Sequence, residues 1–285
     1  RASFDAKTAS LIQEKMPVLS PATTRGYNAA RKWFAKNASW FSDKNLYSVT
    51  SSDLQSIVDL LANSGLSPKT VRNYFAVVTN VLSSSNICLK SPKLPQKERP
   101  KYSIPSEETV KTVIRLAIGT PLEVPILLAA FGPLRRGEIC ALTLDDIHGN
   151  VIHVCKDIVR YADGEWITKP PKSFSSDRYI EMPPFVIDRI NEQKCIWDSR
   201  RNPDCLTQSF KRFLVRNKIQ PFRFHDLRHF CCSYLHGINV PDIYIMSRSG
   251  HSTNAVLREV YTHTLQNQSK VETEKILTEF TKIGS

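Results

Sequence analysis

From Lys90 to Lys101 the chain reads Lys-Ser-Pro-Lys-Leu-Pro-Gln-Lys-Glu-Arg-Pro-Lys, rich in proline and lysine and without apolar periodicity. Such a stretch reads as an extended, charged linker, not as an element of a packed core. It divides a chain of 285 residues, which already exceeds the usual size of a single domain. The expected organisation is therefore a first domain over 1–90, a linker over 91–105 and a second domain over 106–285.

Ahead of the linker the pattern is helical. Ser20-Pro21 and Ser67-Pro68 each set an N-cap serine before a proline at the first helical position. The segments 19–27 and 66–74 repeat Thr, Arg and Tyr at equal offsets from that proline. Both place an arginine, Arg25 or Arg72, in the first turns of a helix whose N-terminal amides favour phosphate. Ordinary capping with a core tyrosine accounts for the repeat equally well. Shorter helices over 7–15 and 52–62 complete a small four-helix domain.

Behind the linker, Ser106-Glu107-Glu108 opens a run of helices to about residue 142. Strand-like segments at 151–158, 165–168 and 178–182 suggest one small antiparallel sheet. Helical patterns follow at 185–197, 206–217, 226–236, 242–247, 254–262 and 269–282. The fold class expected is mainly α in two domains, the second an α+β unit with a small antiparallel sheet.

Net charge is +12, of which +9 falls within residues 1–101. A concentrated positive excess attracts polyanions and makes affinity salt-dependent through counterion release. Apolar runs such as 125–131 are too short to span a bilayer, and no leader pattern opens the chain. Seven cysteines, an odd number without a C-x-x-C pair, argue against a disulfide framework and a zinc module. A reducing cytoplasmic setting is expected, with Cys231-Cys232 as buried packing groups.

The chemistry-bearing residues cluster late. Arg223-Phe-His225-Asp-Leu-Arg228-His229 is followed by Ser249-Gly250-His251 and then Tyr261-Thr262-His263. Arginine forks suit the non-bridging oxygens of a phosphodiester. Candidates are Arg228 and either Arg135 or Arg136, with Glu138 placed to brace the guanidinium. Tyr261 could serve as a nucleophile if flanking Arg or His groups accept its proton or stabilise the phenolate.

These boxes resemble those of the tyrosine recombinases, which include phage and conjugative-transposon integrases. Arg135-Arg136-Gly137-Glu138 is similar to the family's first arginine box, His225-x-x-Arg228 to the second, Ser249-Gly250-His251 to its Leu-Gly-His box and Tyr261-Thr262-His263 to its nucleophile box. Pro170-Pro171-Lys172-Ser173 with residues 175–180 resembles the hairpin carrying the catalytic lysine, where Lys172 fits better than Lys169. Two departures stand out: Pro133 lies between Gly132 and Leu134, and Ser249 replaces the common leucine.

The resemblance implies a four-helix core-binding domain, a tyrosine-recombinase catalytic domain and a C-terminal exchange helix. It implies strand cleavage by Tyr261 to a 3′-phosphotyrosine, without metal or other cofactor. Arg135 and Arg228 would hold the scissile phosphate, Lys172 would protonate the leaving 5′-oxygen, His225 would move the tyrosine proton and His251 would bond the phosphate. Partners would be double-stranded attachment or transposon-end DNA, further copies of the chain (a dimer on one site, a tetramer in synapsis) and a directionality factor; no membrane is involved. Further DNA contacts are expected from Arg25, Lys69, Arg72, Lys97 and Arg99. The start at Arg1 suggests that an N-terminal arm-site domain has been removed. A type IB topoisomerase or telomere resolvase, or a non-catalytic DNA-binding regulator, are the alternatives.

Overall fold

The computed structural model describes residues 2–98, 103–161, 164–171, 174–198 and 202–254. The chain divides into two compact units, residues 1–101 with 160–165 and residues 102–159 with 166–285.

The first unit contains α1 (Phe4–Lys15), α2 (Pro21–Asn37), a single turn α3 (Ser39–Ser42), α4 (Ser51–Asn63) and α5 (Pro68–Ser84). Ser20 Oγ accepts the Thr23 amide and Ser67 Oγ the Thr70 amide, both at 3.2 Å, so the sequence repeat is a repeated cap. The core gathers around Phe4, which meets Phe34 edge-on at 5.7 Å and Phe41 at 4.8 Å. The repeated tyrosines both pack against it: Tyr27 accepts a hydrogen bond from Asn80, and Tyr74 lies 6.1 Å from Trp33.

The expected linker is partly claimed by this unit. Leu89 and Leu94 pack against the core, and the Lys93 amide donates to Gln55. Arg72 donates through Nε and Nη2 to the Pro95 carbonyl. Two leucines offer enough apolar area to hold an otherwise extended, proline-punctuated chain on the helices.

The second unit is built around α7 (Glu123–Phe131), whose residues are buried from Glu123 through Ala130. Against it lie α6 (Glu107–Ala117), α8 (Arg136–Ala141), α9 (Pro184–Gln193) and α11 (Phe224–Gly237); α10 (Pro203–Arg216) packs on α8 and α11, and α12 (Asp242–Ser249) on α11. Strands β1 (Ile147–His148), β2 (Val151–Val154) and β5 (Arg178–Glu181) form an antiparallel sheet in the order β1-β2-β5. Strands β3 (Asp157–Arg160) and β4 (Trp166–Lys169) form a second, two-stranded sheet.

Two sheets thus replace the single one expected, and the strand expected over 151–158 is broken. Ile152 and Val154 commit one face of β2 to the core. That alternation ends at Cys155-Lys156, where Lys156 reaches Asp146 at 2.7 Å. Helix α9 stops short of residue 197 because Lys194 takes a left-handed conformation, φ 51°, and Ile196 and Trp197 turn into the core. The helices expected at 254–262 and 269–282 fall outside the described residues, Asn254 apart.

All seven cysteines are free thiols. Cys231 and Cys232 are buried as expected, and burial raises the pKa of Cys231 and takes that of Cys140 to about 12. Cys88 in the first unit and Cys195 in the second are exposed. Among the described residues no helix is long and apolar enough to cross a membrane.

Candidate active site

The first arginine box forms the start of α8. Glu138 reaches back to cap the helix, accepting the Arg135 amide at 2.7 Å and the Arg135 Nη1 at 2.6 Å. Gly137 is required by close approach: a Cβ there would fall 2.0 Å from Asp157 Oδ1 and 2.6 Å from the Ile158 carbonyl. Glu138 is buried and also receives a fork from Arg178 on β5, with Nη1 to Oε1 at 3.1 Å and Nη2 to Oε2 at 3.0 Å. Burial alone would raise the Glu138 pKa; the hydrogen bonds and charge of Arg178, then the charge of Arg135, reverse this and lower it to about 2.

The second box starts α11, where Asp226 caps the helix by accepting the Arg223 amide at 2.8 Å. Arg228 is 1% exposed. Its Nη1 donates to the Pro133 carbonyl and its Nη2 to His251 Nε2, the latter at 3.0 Å. Burial, then the positive charge of Arg135, lowers the Arg228 pKa to about 10, which leaves it charged at neutral pH. His225 is exposed to solvent one turn before His229, their rings edge-on at 4.7 Å. Desolvation by the surrounding protein, then His229 and Arg228, lowers the pKa of His225 and favours its neutral form.

The third box closes α12. Gly250 caps it in the left-handed region at φ 69°, and a Cβ there would stand 3.0 Å from Arg178 Nη1 and 3.1 Å from the Ser175 carbonyl. The Gly250 carbonyl accepts Arg135 Nη2 at 2.8 Å, and the Arg248 carbonyl accepts Arg178 Nε at 2.9 Å. Arg248 itself donates to the Phe131 carbonyl, 2.9 Å from Nη2. His251 is held on both nitrogens, Nε2 by Arg228 and Nδ1 by Ser249 Oγ at 2.7 Å. Burial, followed by the charges of Arg228 and Arg135, lowers its pKa to about 3.

Arg135, Arg228 and His251 are therefore brought together from three helix ends. His225 stands on the same helix as Arg228. Lys172 and Tyr261 lie outside the described residues. Lys169, the alternative lysine, ends β4 close enough to Asp157 for its charge to oppose in part the burial and the Glu138 charge that raise the pKa of that carboxyl. Arg136 turns away from this cluster to Asp204, at 2.9 Å, and Thr207 on α10. Arg25, Lys69 and Lys97 are exposed, Arg72 is engaged with Pro95, and Arg99 lies outside the described residues.

Sequence reasoning passed over two members of the cluster, Arg178 and Ser249. Both stood in quoted motifs. Arg178 bonds to a carboxylate 40 residues away and to a carbonyl 70 residues away, separations that no local pattern encodes.

The geometry agrees with what the chain is similar to. Residues 107–268 match the model of the phage integrase family. The prophage phiRv2 integrase of Mycobacterium tuberculosis, in two strains, is 29% identical over 176 residues, which cover 55% of this chain and 46% of that protein. The chain thus spans about half the length of the curated relatives it matches. Among solved structures, the Tn1549 transposon integrase in complex with transposon right end DNA superposes with a TM-score of 0.78 at 18% identity, over 97% of this chain and all of that one. A lambda integrase tetramer bound to a Holliday junction gives 0.64 at 13% identity, over 89% and 76%. The structures speak for the fold, and the family match, which takes in more than half of the residues, speaks for descent: this chain belongs to the phage integrase family, whose members are tyrosine recombinases.

Proposed function

We propose that the protein is a site-specific DNA recombinase that cuts and rejoins strands of a mobile element through a 3′-phosphotyrosine. The observation that carries this reading is the convergence of Arg135, Arg228 and His251, from helices far apart in sequence, on one excess of positive charge braced by Glu138. A phosphodiester is the ligand such a site fits. Arg135, the more accessible of the two guanidiniums, and Arg228 would hold the non-bridging oxygens and stabilise the charge that develops in the transition state.

In this scheme the Tyr261 oxygen attacks phosphorus, forming one P–O bond as the bond to the 5′-oxygen breaks. The phenol proton passes to neutral His225, and the departing oxygen takes a proton from Lys172. Rejoining reverses both transfers at a different 5′-hydroxyl, so the energy of the phosphodiester stays in the covalent link. Residues 1–90 would act as the core-type DNA-binding domain, 91–105 as linker and 106–285 as the catalytic domain with its exchange helix. Exposed Arg25, Lys69 and Lys97 are suited to phosphate contact, as is Arg99; Arg72 would first have to release Pro95. Pairing on one site, tetramer formation in synapsis and the use of a directionality factor belong to the same reading.

The test is covalent trapping. Nicked duplex carrying candidate attachment sequence is incubated with the protein without metal and analysed on a denaturing gel beside Tyr261→Phe. A protease-sensitive protein–DNA band that requires Tyr261 is expected. A band that persists in Tyr261→Phe moves the nucleophile elsewhere, and no band on a verifiably bound site turns the reading toward a DNA-binding regulator.

A further inference from the structure

We infer that Ser249 is a positioning residue that holds His251 in the tautomer Arg228 selects and can follow the ring when its proton-bearing nitrogen changes. The inference rests on the proposed phosphodiester chemistry for its purpose, and on this chain's own contacts for its content.

The hydrogen-bond directions are forced by chemistry. A guanidinium only donates, so His251 Nε2, 3.0 Å from Arg228 Nη2, must accept. A neutral imidazole with an accepting Nε2 carries its proton on Nδ1, and that N–H donates to Ser249 Oγ at 2.7 Å. The low pKa of His251 keeps the ring neutral, so the choice of tautomer decides what Nε2 can do. Ser249 is fully buried, and no water is needed to complete the chain of bonds. Its own hydroxyl proton points to the Met246 carbonyl over a long 3.4 Å contact.

In this arrangement Nε2 can accept from Arg228 but cannot donate to a phosphate oxygen. Once a phosphate takes the Arg228 donor, the useful form of His251 carries its proton on Nε2. The partly exposed ring then takes a proton from water at Nε2 and gives the one at Nδ1 back to water, with no net change. Ser249 answers by rotating its hydroxyl to donate to Nδ1. The Met246 carbonyl it leaves is already bonded by the Gly250 amide at 2.7 Å and the His251 amide at 3.2 Å, so no buried acceptor is orphaned. A leucine, the common residue at this place in the family motif, could neither accept from nor donate to Nδ1. Serine does both.

Long-range proton–nitrogen NMR of histidine-labelled protein tests this at neutral pH in wild type, Ser249→Ala and Ser249→Thr. Free wild type is expected in the Nδ1–H form. Ser249 can meet Nδ1 in either form, but only the Nδ1–H form also keeps the hydroxyl's contact with Met246. Ser249→Ala should therefore move the ratio toward Nε2–H by about two- to threefold, the worth of one weak hydrogen bond, and the hydroxyl of Ser249→Thr should restore it. Wild type found in the Nε2–H form, or an unchanged ratio in Ser249→Ala, overturns the assignment without reference to catalysis. Adding a short duplex at low salt should then convert wild type to Nε2–H. A bound duplex that leaves Nδ1–H in place overturns the exchange. A duplex that fails to bind counts against the recombinase reading, and the free-protein spectra still decide the role of Ser249.

Discussion

Two buried glutamates in the second unit make an instructive pair. Glu123 and Glu138 are nearly equally hidden, with side chains 3% and 4% exposed, and each accepts a forked arginine. Around Glu123 the charges are balanced toward acid: Arg189 is shared with Glu192, and Gln193 and the Gly119 amide complete the shell. Around Glu138 the balance is reversed. Arg135 and Arg178 share the one carboxylate, and they also bond to neutral oxygens, the Ser176 hydroxyl and the carbonyls of Gly250, Arg248 and Ser176. Arg228 adds another charge, bonded to a carbonyl and an imidazole. A balanced cluster joins helices; one left short of negative charge is suited to the anion proposed above.

Removing each carboxylate should separate the two cases most sharply. Glu138→Ala strands Arg178 in the core and is expected to lower unfolding free energy by about 3–5 kcal/mol in urea titration. Glu123→Ala leaves Arg189, which reaches solvent, and should lose about 1–3 kcal/mol. Equal losses would show that the extra arginines at Glu138 are irrelevant to stability.

The arginines should divide the other way. Arg135→Ala is expected to slow covalent complex formation about 10²–10³-fold at saturating DNA, whereas Arg189→Ala should leave that rate unchanged. A rate loss in Arg189→Ala would mean that global integrity, and not phosphate contact, is being measured.

Acid offers a further comparison. The folded pKa of Glu138 lies below its ordinary value of 4.5, at about 2, so its contribution is complete above pH 4.5 and is lost as pH falls toward 2. That loss amounts to about 3 kcal/mol by linkage. His251 acts in the same direction from higher pH, because the unfolded chain binds a proton below 6.5 that the folded site refuses until about 3. Glu138→Gln should flatten the acid limb of stability; an unchanged limb would place the titration elsewhere. A loss like that of Glu123→Ala, about 1–3 kcal/mol in urea titration, is expected from Gly137→Ala, where the new Cβ presses on Asp157 and Ile158.

Much of this was legible in the sequence, for identifiable reasons. The caps at Ser20, Ser67 and Ser106 are local, and they mark the starts of α2, α5 and α6 correctly. The arginine boxes lie at helix starts and the glycine-histidine box at a helix end, where short motifs have fixed geometry. Glu138 could be read as a brace for Arg135 because the two are three residues apart. What escaped is what depends on distant partners: Arg178 under the site, the division of the strands into two sheets, and the hold of Leu89 and Leu94 on the first unit. Ser249 was noticed only as a departure, since the imidazole it serves is legible just two residues on but the direction of its bond is not.

The distribution of thiols has a practical consequence. Cys140 and Cys231 sit in apolar surroundings that hold their sulfurs in the unreactive protonated form, while Cys88 and Cys195 stand open to solvent, one in each compact unit. Brief treatment with a maleimide dye pair should therefore mark Cys88 and Cys195 first, one in each compact unit, ahead of the half-buried Cys155 and Cys205. Energy transfer between the two dyes would give a ruler for how far the units separate or close as DNA is added, with no engineered cysteine.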